Sequence, residues 1–251
     1  MKLHFLGTGA ADWNWRTYPE GTRGSTMTLV NGTLLIDAGP SLTRNLSLAE
    51  LDGKQITEVL ITHSHSDHFN VEQLEALAQD HPITVHATLQ ALARLAHPNI
   101  RKHAIAIGDV FTVCGIQVTA TPANHALNDL KEAAFHFLLE ENGKRVLYHL
   151  DGAWMLSVER QLIGNTPLDA IVWDATSGTT LYDWRMPDHN DLKMISDLRQ
   201  GMLKMRIITA NTRHFFDHIA WSLWPMDAGE CQRAAKDHGG ILTEDNMVAE
   251  I

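Results

Sequence analysis

Cysteine, long apolar runs and basic clusters are all scarce in this chain, and each scarcity removes a class of protein. Only Cys114 and Cys231 occur in 251 residues. They are too few and too far apart for a disulfide framework or a thiolate zinc knuckle, and both read as small core hydrophobes. No stretch approaches the ~18 consecutive apolar residues of a spanning helix, and Met1–Leu6 is too short a run before Gly7 to read as a signal peptide. No membrane association and a cytoplasmic location are therefore expected. Lys and Arg number 20 against 30 Asp and Glu, a net charge of −10. Without a basic stripe, broad contact with a phosphate backbone is disfavoured, so nucleic acid is not expected as a partner. No low-complexity tract or Pro/Gly/Ser-rich linker divides the sequence. With 44% hydrophobic residues, residues 1–251 read as a single domain with ample core.

Histidine is what the chain has in plenty, 15 in all, and spacing has to decide which of them carry chemistry. Short strands are predicted at Leu3–Leu6, Met27–Val30, Leu34–Asp37 and Glu58–Thr62, with Asn31-Gly32 forming a hairpin turn because both residues tolerate positive φ. Val71, Leu74, Leu77 and Ala78 recur at helical spacing. Ile83–His86 followed by Leu89–Ala96 repeats the strand-then-helix pattern. Further strands are predicted at Val110–Val113, Ile116–Thr121, Ala134–Glu140 and Arg145–Leu150, with Asn142-Gly143 a second hairpin turn. A helix at Met155–Ile163, a strand at Ala170–Trp173, a helix at His189–Arg199, a strand at Arg206–Thr209 and a helix at Ala228–Asp237 complete the pattern. Hairpins and β-α units alternate in both halves. The implied fold is α/β: two mixed sheets packed face to face with helices outside, a four-layer αββα sandwich.

The segment His63-Ser64-His65-Ser66-Asp67-His68 concentrates the chemistry. It follows an apolar strand, and extended geometry would turn His63, His65 and Asp67 to one side. Four ligand-type side chains in six residues, spaced by small serines, cannot be buried without a cation or tight pairing. Imidazole suits zinc, and the carboxylate widens the choice towards manganese or iron.

His-x-His-x-Asp-His after a strand resembles the signature of the metallo-β-lactamase superfamily, whose fold is the αββα sandwich. Leu6-Gly7-Thr8-Gly9 resembles that family's first strand and turn, and Leu35-Ile36-Asp37-Ala38-Gly39 its hairpin. The resemblance implies one metal on His63, His65 and His125, a second on Asp67, His68 and His214, and Asp151 bridging both. Two divalent ions are implied, with zinc the first choice and manganese the second, and with Asp67 and His189 as catalytic groups. A metal-bridging hydroxide would attack the substrate, and the formal charge left at the site would draw in a small anionic molecule. Departures from relatives narrow the activity. Flavin-linked di-iron members carry Glu where this chain has His65. The β-lactamases generally lack the second His of Asp-His and use a cysteine ligand.

Pro187-Asp188-His189-Asn190-Asp191-Leu192 resembles the histidine-bearing motif of phosphodiesterase branches, in particular the cyclic-phosphate phosphodiesterases of bacterial phosphonate breakdown. That likeness makes His189 a general acid for the departing alkoxide; otherwise His189 merely caps a helix, beside the better caps Asp188 and Asn190. Those relatives carry a cysteine-rich zinc site that two distant cysteines cannot supply, and this chain has Asn211 where they have a histidine. The competing readings are a lactonase or thioesterase using the same hydroxide, and a non-catalytic metal-binding protein. Arg23, Arg185 and Arg213 are each read as surface or structural, with phosphate binding as the alternative for Arg185 and Arg213. Trp13, Trp15, Tyr18, Phe215, Phe216, Trp221 and Trp224 would wall a pocket, form a homodimer contact or pack the core. His4, His81, His86, His97, His103, His136, His218 and His238 have no supporting partners in sequence, and His149 stands at most behind the metal ligands.

Overall fold

A computed structural model describes residues 1–251. The first sheet contains β1 (Lys2–Gly7), β2 (Met27–Val30), β3 (Leu34–Ile36), β4 (Glu58–Leu60), β5 (Ile83–Ala87), β6 (Ile100–Ala104) and, at its other edge, β14 (Met247–Glu250). Its spatial order is β14-β1-β2-β3-β4-β5-β6. The second sheet contains β7 (Val110–Val113), β8 (Ile116–Pro122), β9 (Phe135–Glu141), β10 (Lys144–His149), β11 (Ala170–Asp174), β12 (Arg213–Asp217) and β13 (Ile241–Leu242). It runs in strict sequence order from β13 to β7.

Three buried clusters account for the layering. The central one joins Leu3, Phe5, Ile36 and Leu60 of the first sheet to Val118, Phe137, Tyr148, Val172 and Phe215 of the second. Outside the first sheet, α1 (Leu42–Leu48), α2 (Val71–Leu77) and α3 (Leu89–Ala93) bury Leu42, Leu46, Leu74 and Leu92 against Leu29, Leu35, Val59 and Val85. Outside the second, α4 (Ser157–Ile163), α5 (Leu192–Lys204) and α6 (Ala228–Asp237) bury Ile163, Ile195, Met202 and Cys231 against Leu147, Ile171, Trp173 and Phe216. Alternate residues of β10 serve alternate faces, as the period of two requires. The fold is the predicted αββα sandwich.

Local expectations held where turn chemistry was explicit. Asn142 and Gly143 both have positive φ and join Glu141 to Lys144 in a two-residue turn. Cys114-Gly115 does the same between Val113 and Ile116, which leaves Cys114 exposed rather than in the core. Two element expectations fail, and several elements were not foreseen. Leu42–Leu48, Ile100–Ala104 and the C-terminal strands gave no periodic signal long enough to read. The helix expected from His189 begins at Leu192, because Asp191 is its N-cap and accepts from Met194 N at 2.8 Å. The strand expected at Arg206–Thr209 lies instead at Arg213–Asp217, parallel to β11 with Ile171 opposite His214.

Candidate metal centre

The strands of the two sheets deliver their ends to one edge of the sandwich, and the candidate ligands all follow strand ends. His63 comes three residues after β4, His125 three after β8 and Asp151 two after β10. The segment from His63 to Asn70 is a turn, closed by Phe69 N donating to His65 O at 2.8 Å. It ends at Asn70, whose side chain caps α2. Gly39 packs against this turn so tightly that a Cβ there would lie 1.9 Å from Asp67 O.

Two groups of donor atoms form, sharing one oxygen. His63 Nε2 lies 3.1 Å from His65 Nδ1, and His125 Nε2 lies 3.0 Å from the same atom. Asp151 Oδ2 is 3.4 Å from His63 Nε2 and 3.8 Å from His125 Nε2. On its other side Asp151 Oδ2 is 3.1 Å from His68 Nε2. That nitrogen is 3.4 Å from Asp67 Oδ2 and 3.1 Å from His218 Nε2. Donors about 2.1 Å from a shared zinc stand roughly 3.0–3.5 Å apart in octahedral or tetrahedral arrangements, and every separation but the 3.8 Å between His125 and Asp151 falls in that range. Each group would take a divalent cation, with the Asp151 carboxylate between them.

His218, not His214, completes the second group. His214 is buried at the start of β12, where its Nδ1 accepts from Trp173 Nε1 at 3.1 Å. Burial, with Arg199 nearby, holds its pKa down at about 3, so it is a neutral acceptor. The mislocated strand explains the error. A strand at Arg206–Thr209 would have put His214 just beyond its end, where ligands project; with β12 at Arg213–Asp217 that place falls to His218. Only Asp217-His218 following a Phe-Phe strand could have shown this in sequence.

Around the donors stands a set of orienting groups. Asp37 Oδ2 accepts from His68 Nδ1 at 2.8 Å, while Asp37 Oδ1 accepts from Thr62 N at 2.8 Å. Thr62 Oγ1 lies 3.0 Å from His63 Nδ1, Thr176 Oγ1 lies 2.7 Å from His218 Nδ1, and Asp188 O lies 3.3 Å from His125 Nδ1. Such outer contacts fix tautomer and ring orientation in metal-ligating histidines. Asp37, Asp151 and His218 all have positive φ, at 63°, 51° and 59°. Strain of this kind persists where surrounding structure enforces it, and it gathers at functional sites.

The electrostatics differ between the groups: neutral imidazoles are favoured at His63 and His125, whereas neighbouring carboxylates raise His68 and His218 against the lowering effect of burial. Burial and the neighbouring His68 hold the pKa of His63 well below the usual histidine value, and burial lowers that of His125. Burial alone would raise Asp67 and Asp151. Nearby histidines reverse that: His68 above all keeps Asp67 well below the usual carboxylate range, and His218 and His68 do so for Asp151. His68, enclosed by Asp151, Asp67 and Asp37, is raised well above the usual histidine value despite burial.

His189 sits beside both groups, with ring centroids 5.1 Å from His125 and 5.6 Å from His218. Its Nδ1 faces Asp174 Oδ2 at 2.8 Å and Thr176 Oγ1 at 3.2 Å. Burial would lower its pKa, but the Asp174 carboxylate outweighs burial and raises it to about 9. Because Asp191 caps the helix, His189 stands free of α5. Asp174, at the end of β11, was not singled out from sequence; its place after the apolar run Ile171-Val172-Trp173 was the available signal.

These residues open on a cavity of about 500 Å³ lined also by Asp12, Ser64, Arg94, Asn128 and Arg185. Arg185 is paired with Asp183 at 2.6 Å. Arg94 lies over the Phe69 ring at 4.8 Å and donates to Ser64 O at 3.3 Å. Arg23 and Arg213 lie elsewhere: Arg23 donates to Thr8 Oγ1 and Thr243 O, and Arg213 to Glu250 O. Of the aromatic residues, Phe215, Phe216 and Trp224 are buried. Trp13 Nε1 donates to Ile219 O and Trp15 Nε1 to Arg23 O, both structural bonds. Trp221 stays half exposed, beside a smaller cavity that shares Asp12 with the main one.

Comparison with known proteins gives a consistent frame. The family described as beta-lactamase superfamily domain matches residues 33–207. The exodeoxyribonuclease YycJ of Bacillus anthracis is 24% identical over 198 residues, 73% of this chain and 72% of its own length. Zinc-bound PqqB from Methylobacterium extorquens superposes with a TM-score of 0.75 at 19% identity, over all of both chains. A diphosphatase from the PhnP family gives 0.72 at 17% identity, covering all of this chain and 97% of that one.

Proposed function

The chain belongs to the metallo-β-lactamase superfamily, and on that premise we propose that it is a two-metal phosphodiesterase acting on a small phosphate ester, cyclic esters included. His63, His65 and His125 would hold one ion, and Asp67, His68 and His218 the other, with Asp151 shared between them. When bound, such a pair supplies Lewis-acid stabilisation of phosphoryl oxygens and a nucleophilic water at neutral pH. Zinc is the first choice for this imidazole-rich set and manganese the second.

The observation that carries the reading is the His189–Asp174 pair beside the shared carboxylate. Asp174 keeps the imidazole protonated and fixes its ring through Nδ1, which leaves Nε2 free at the cavity. As the phosphorus–oxygen bond of the ester breaks, its electron pair moves onto the leaving oxygen, and His189 donates its proton there. A poor alkoxide leaving group needs that proton, whereas an acyl substrate with a thiolate leaving group needs it little. Arg94, free of any carboxylate partner, would meet a second anionic portion of the substrate.

His189→Ala tests this. With the metals retained, its turnover should fall about 10²–10³-fold on alkyl phosphodiesters and much less on bis(4-nitrophenyl) phosphate, whose leaving group departs unaided. An equal loss on both substrates, or none, would remove the general-acid role. A parallel panel of lactones and thioesters separates the acyl-hydrolase reading. The likeness to an exodeoxyribonuclease favours one further reading, the same chemistry on a nucleic-acid end, and single-stranded DNA belongs in the same panel.

A further inference from the structure

A second cluster of ligand-type side chains lies behind the site, on the outer face of the second sheet. His136 of β9, His149 of β10 and Glu159 of α4 are all fully buried. His136 Nδ1 is 2.7 Å from Glu159 Oε1, and His149 Nε2 is 3.5 Å from Glu159 Oε2. The two imidazoles overlap with centroids 3.9 Å apart, and one ligand atom from each of the three residues lies within 4.8 Å of the others. Neither the fold nor the hydrolytic reading calls for this arrangement.

Its hydrogen bonding is incomplete. The His136–Glu159 pair makes one bond, while His136 Nε2, both nitrogens of His149 and Glu159 Oε2 have no hydrogen-bond partner. Buried polar atoms are costly to leave unpaired. A proton placed between His149 and Glu159 would bridge 3.5 Å poorly and leave the rest as they are. The same 3.5 Å is close to the edge of a tetrahedron with bonds of about 2.1 Å, and it falls within the 3.0–3.8 Å separations of the main site.

We infer that His136, His149 and Glu159 bind a third divalent cation of zinc-like chemistry. Two imidazoles and one carboxylate form a donor set typical of zinc. Such an ion would join α4 to the adjacent strands β9 and β10, next to the turn that carries Asp151. A Cβ on Gly152 would lie 2.5 Å from His136 Nε2, so this turn rests directly on the cluster. The ion is structural, acquired as the sheet and α4 come together, and it fixes the backbone from which Asp151 reaches the main pair.

Elemental analysis of the full chain, loaded with zinc and freed of excess by gel filtration, should give three zinc ions per chain. The double variant Glu159→Gln/His149→Asn should give two, and His63→Ala/His68→Ala should keep the one held by the cluster. Zinc-edge anomalous scattering from crystals of the unaltered protein should show a peak among the three side chains, and this holds even if the double variant fails to fold. Two ions per unaltered chain, or a third anomalous peak located elsewhere, would overturn the inference. None of these measurements depends on the substrate.

Discussion

At the residue scale, the separation of His214 from His218 gives a direct discrimination. His218→Ala removes a donor from the second group, so the protein should lose about one zinc per chain by elemental analysis. His214→Ala removes only an acceptor for Trp173 Nε1. It should keep its metal and lose stability, by about 1–3 kcal/mol for the buried donor left unpaired, in chemical denaturation. Asp37 touches no proposed metal position but orients His68 and Thr62. Asp37→Asn should weaken the second site about 10–100-fold, read as zinc affinity in competition with a chromogenic chelator, while the first site is little affected. The proton equilibria point the same way. His63 and His125 bind protons poorly, so protons compete for these ligands only below the usual histidine range.

At the element scale, helix starts and strand ends place the chemistry. Asp191 ends the loop that carries His189 and begins α5 by accepting from Met194 N. Asp191→Ala should cost about 1 kcal/mol of stability, seen as a lowered urea midpoint with an unchanged slope, and should loosen His189 through its neighbour Asn190. Asn190 donates to Gly152 O and accepts from Trp154 N, tying that loop to the Asp151 turn. Elements with strong local rules were legible: the Asn31-Gly32 and Asn142-Gly143 hairpins and the α2 periodicity all appear where expected. The 206–217 region was not. Ile207 and Ile208 are apolar because they pack beneath the second sheet as part of its outer core, and burial outside a strand leaves the same short apolar mark as a strand.

At the scale of the whole molecule, the site is where two sheets and their loops meet, so metal binding and folding are linked. Seven donors brought from β4, β8, β10, β12 and the 63–70 turn are adjacent only in the folded chain, and an unfolded chain binds zinc far less well. Removal of metal by a strong chelator should abolish turnover and lower the melting temperature. For free zinc at about a thousand times its Kd, one site contributes about 4 kcal/mol, or roughly 8–16 °C for a chain of this size, measurable by scanning calorimetry. A melting temperature unmoved by chelation would mean that the donors are held together without a cation. No helix is long and apolar enough to cross a membrane.

Sequence alone determined the chemical class, because His63, His65, Asp67 and His68 stand within six residues and their donor types depend on no distant contact. The sandwich was legible from alternation, hairpin turns and helical spacing, which are local properties, taken together with the family resemblance that the motif carries. Tertiary structure decided the rest. Which histidine closes the second group depends on the register of β12 against β11, and a four-residue difference moves the ligand from one end of that strand to the other. Whether His189 can donate a proton depends on Asp174, brought beside it from the end of another element. The gathering of His136, His149 and Glu159 requires two strands and a helix whose sequence spacing shows no motif, so only their packing brings these donors together.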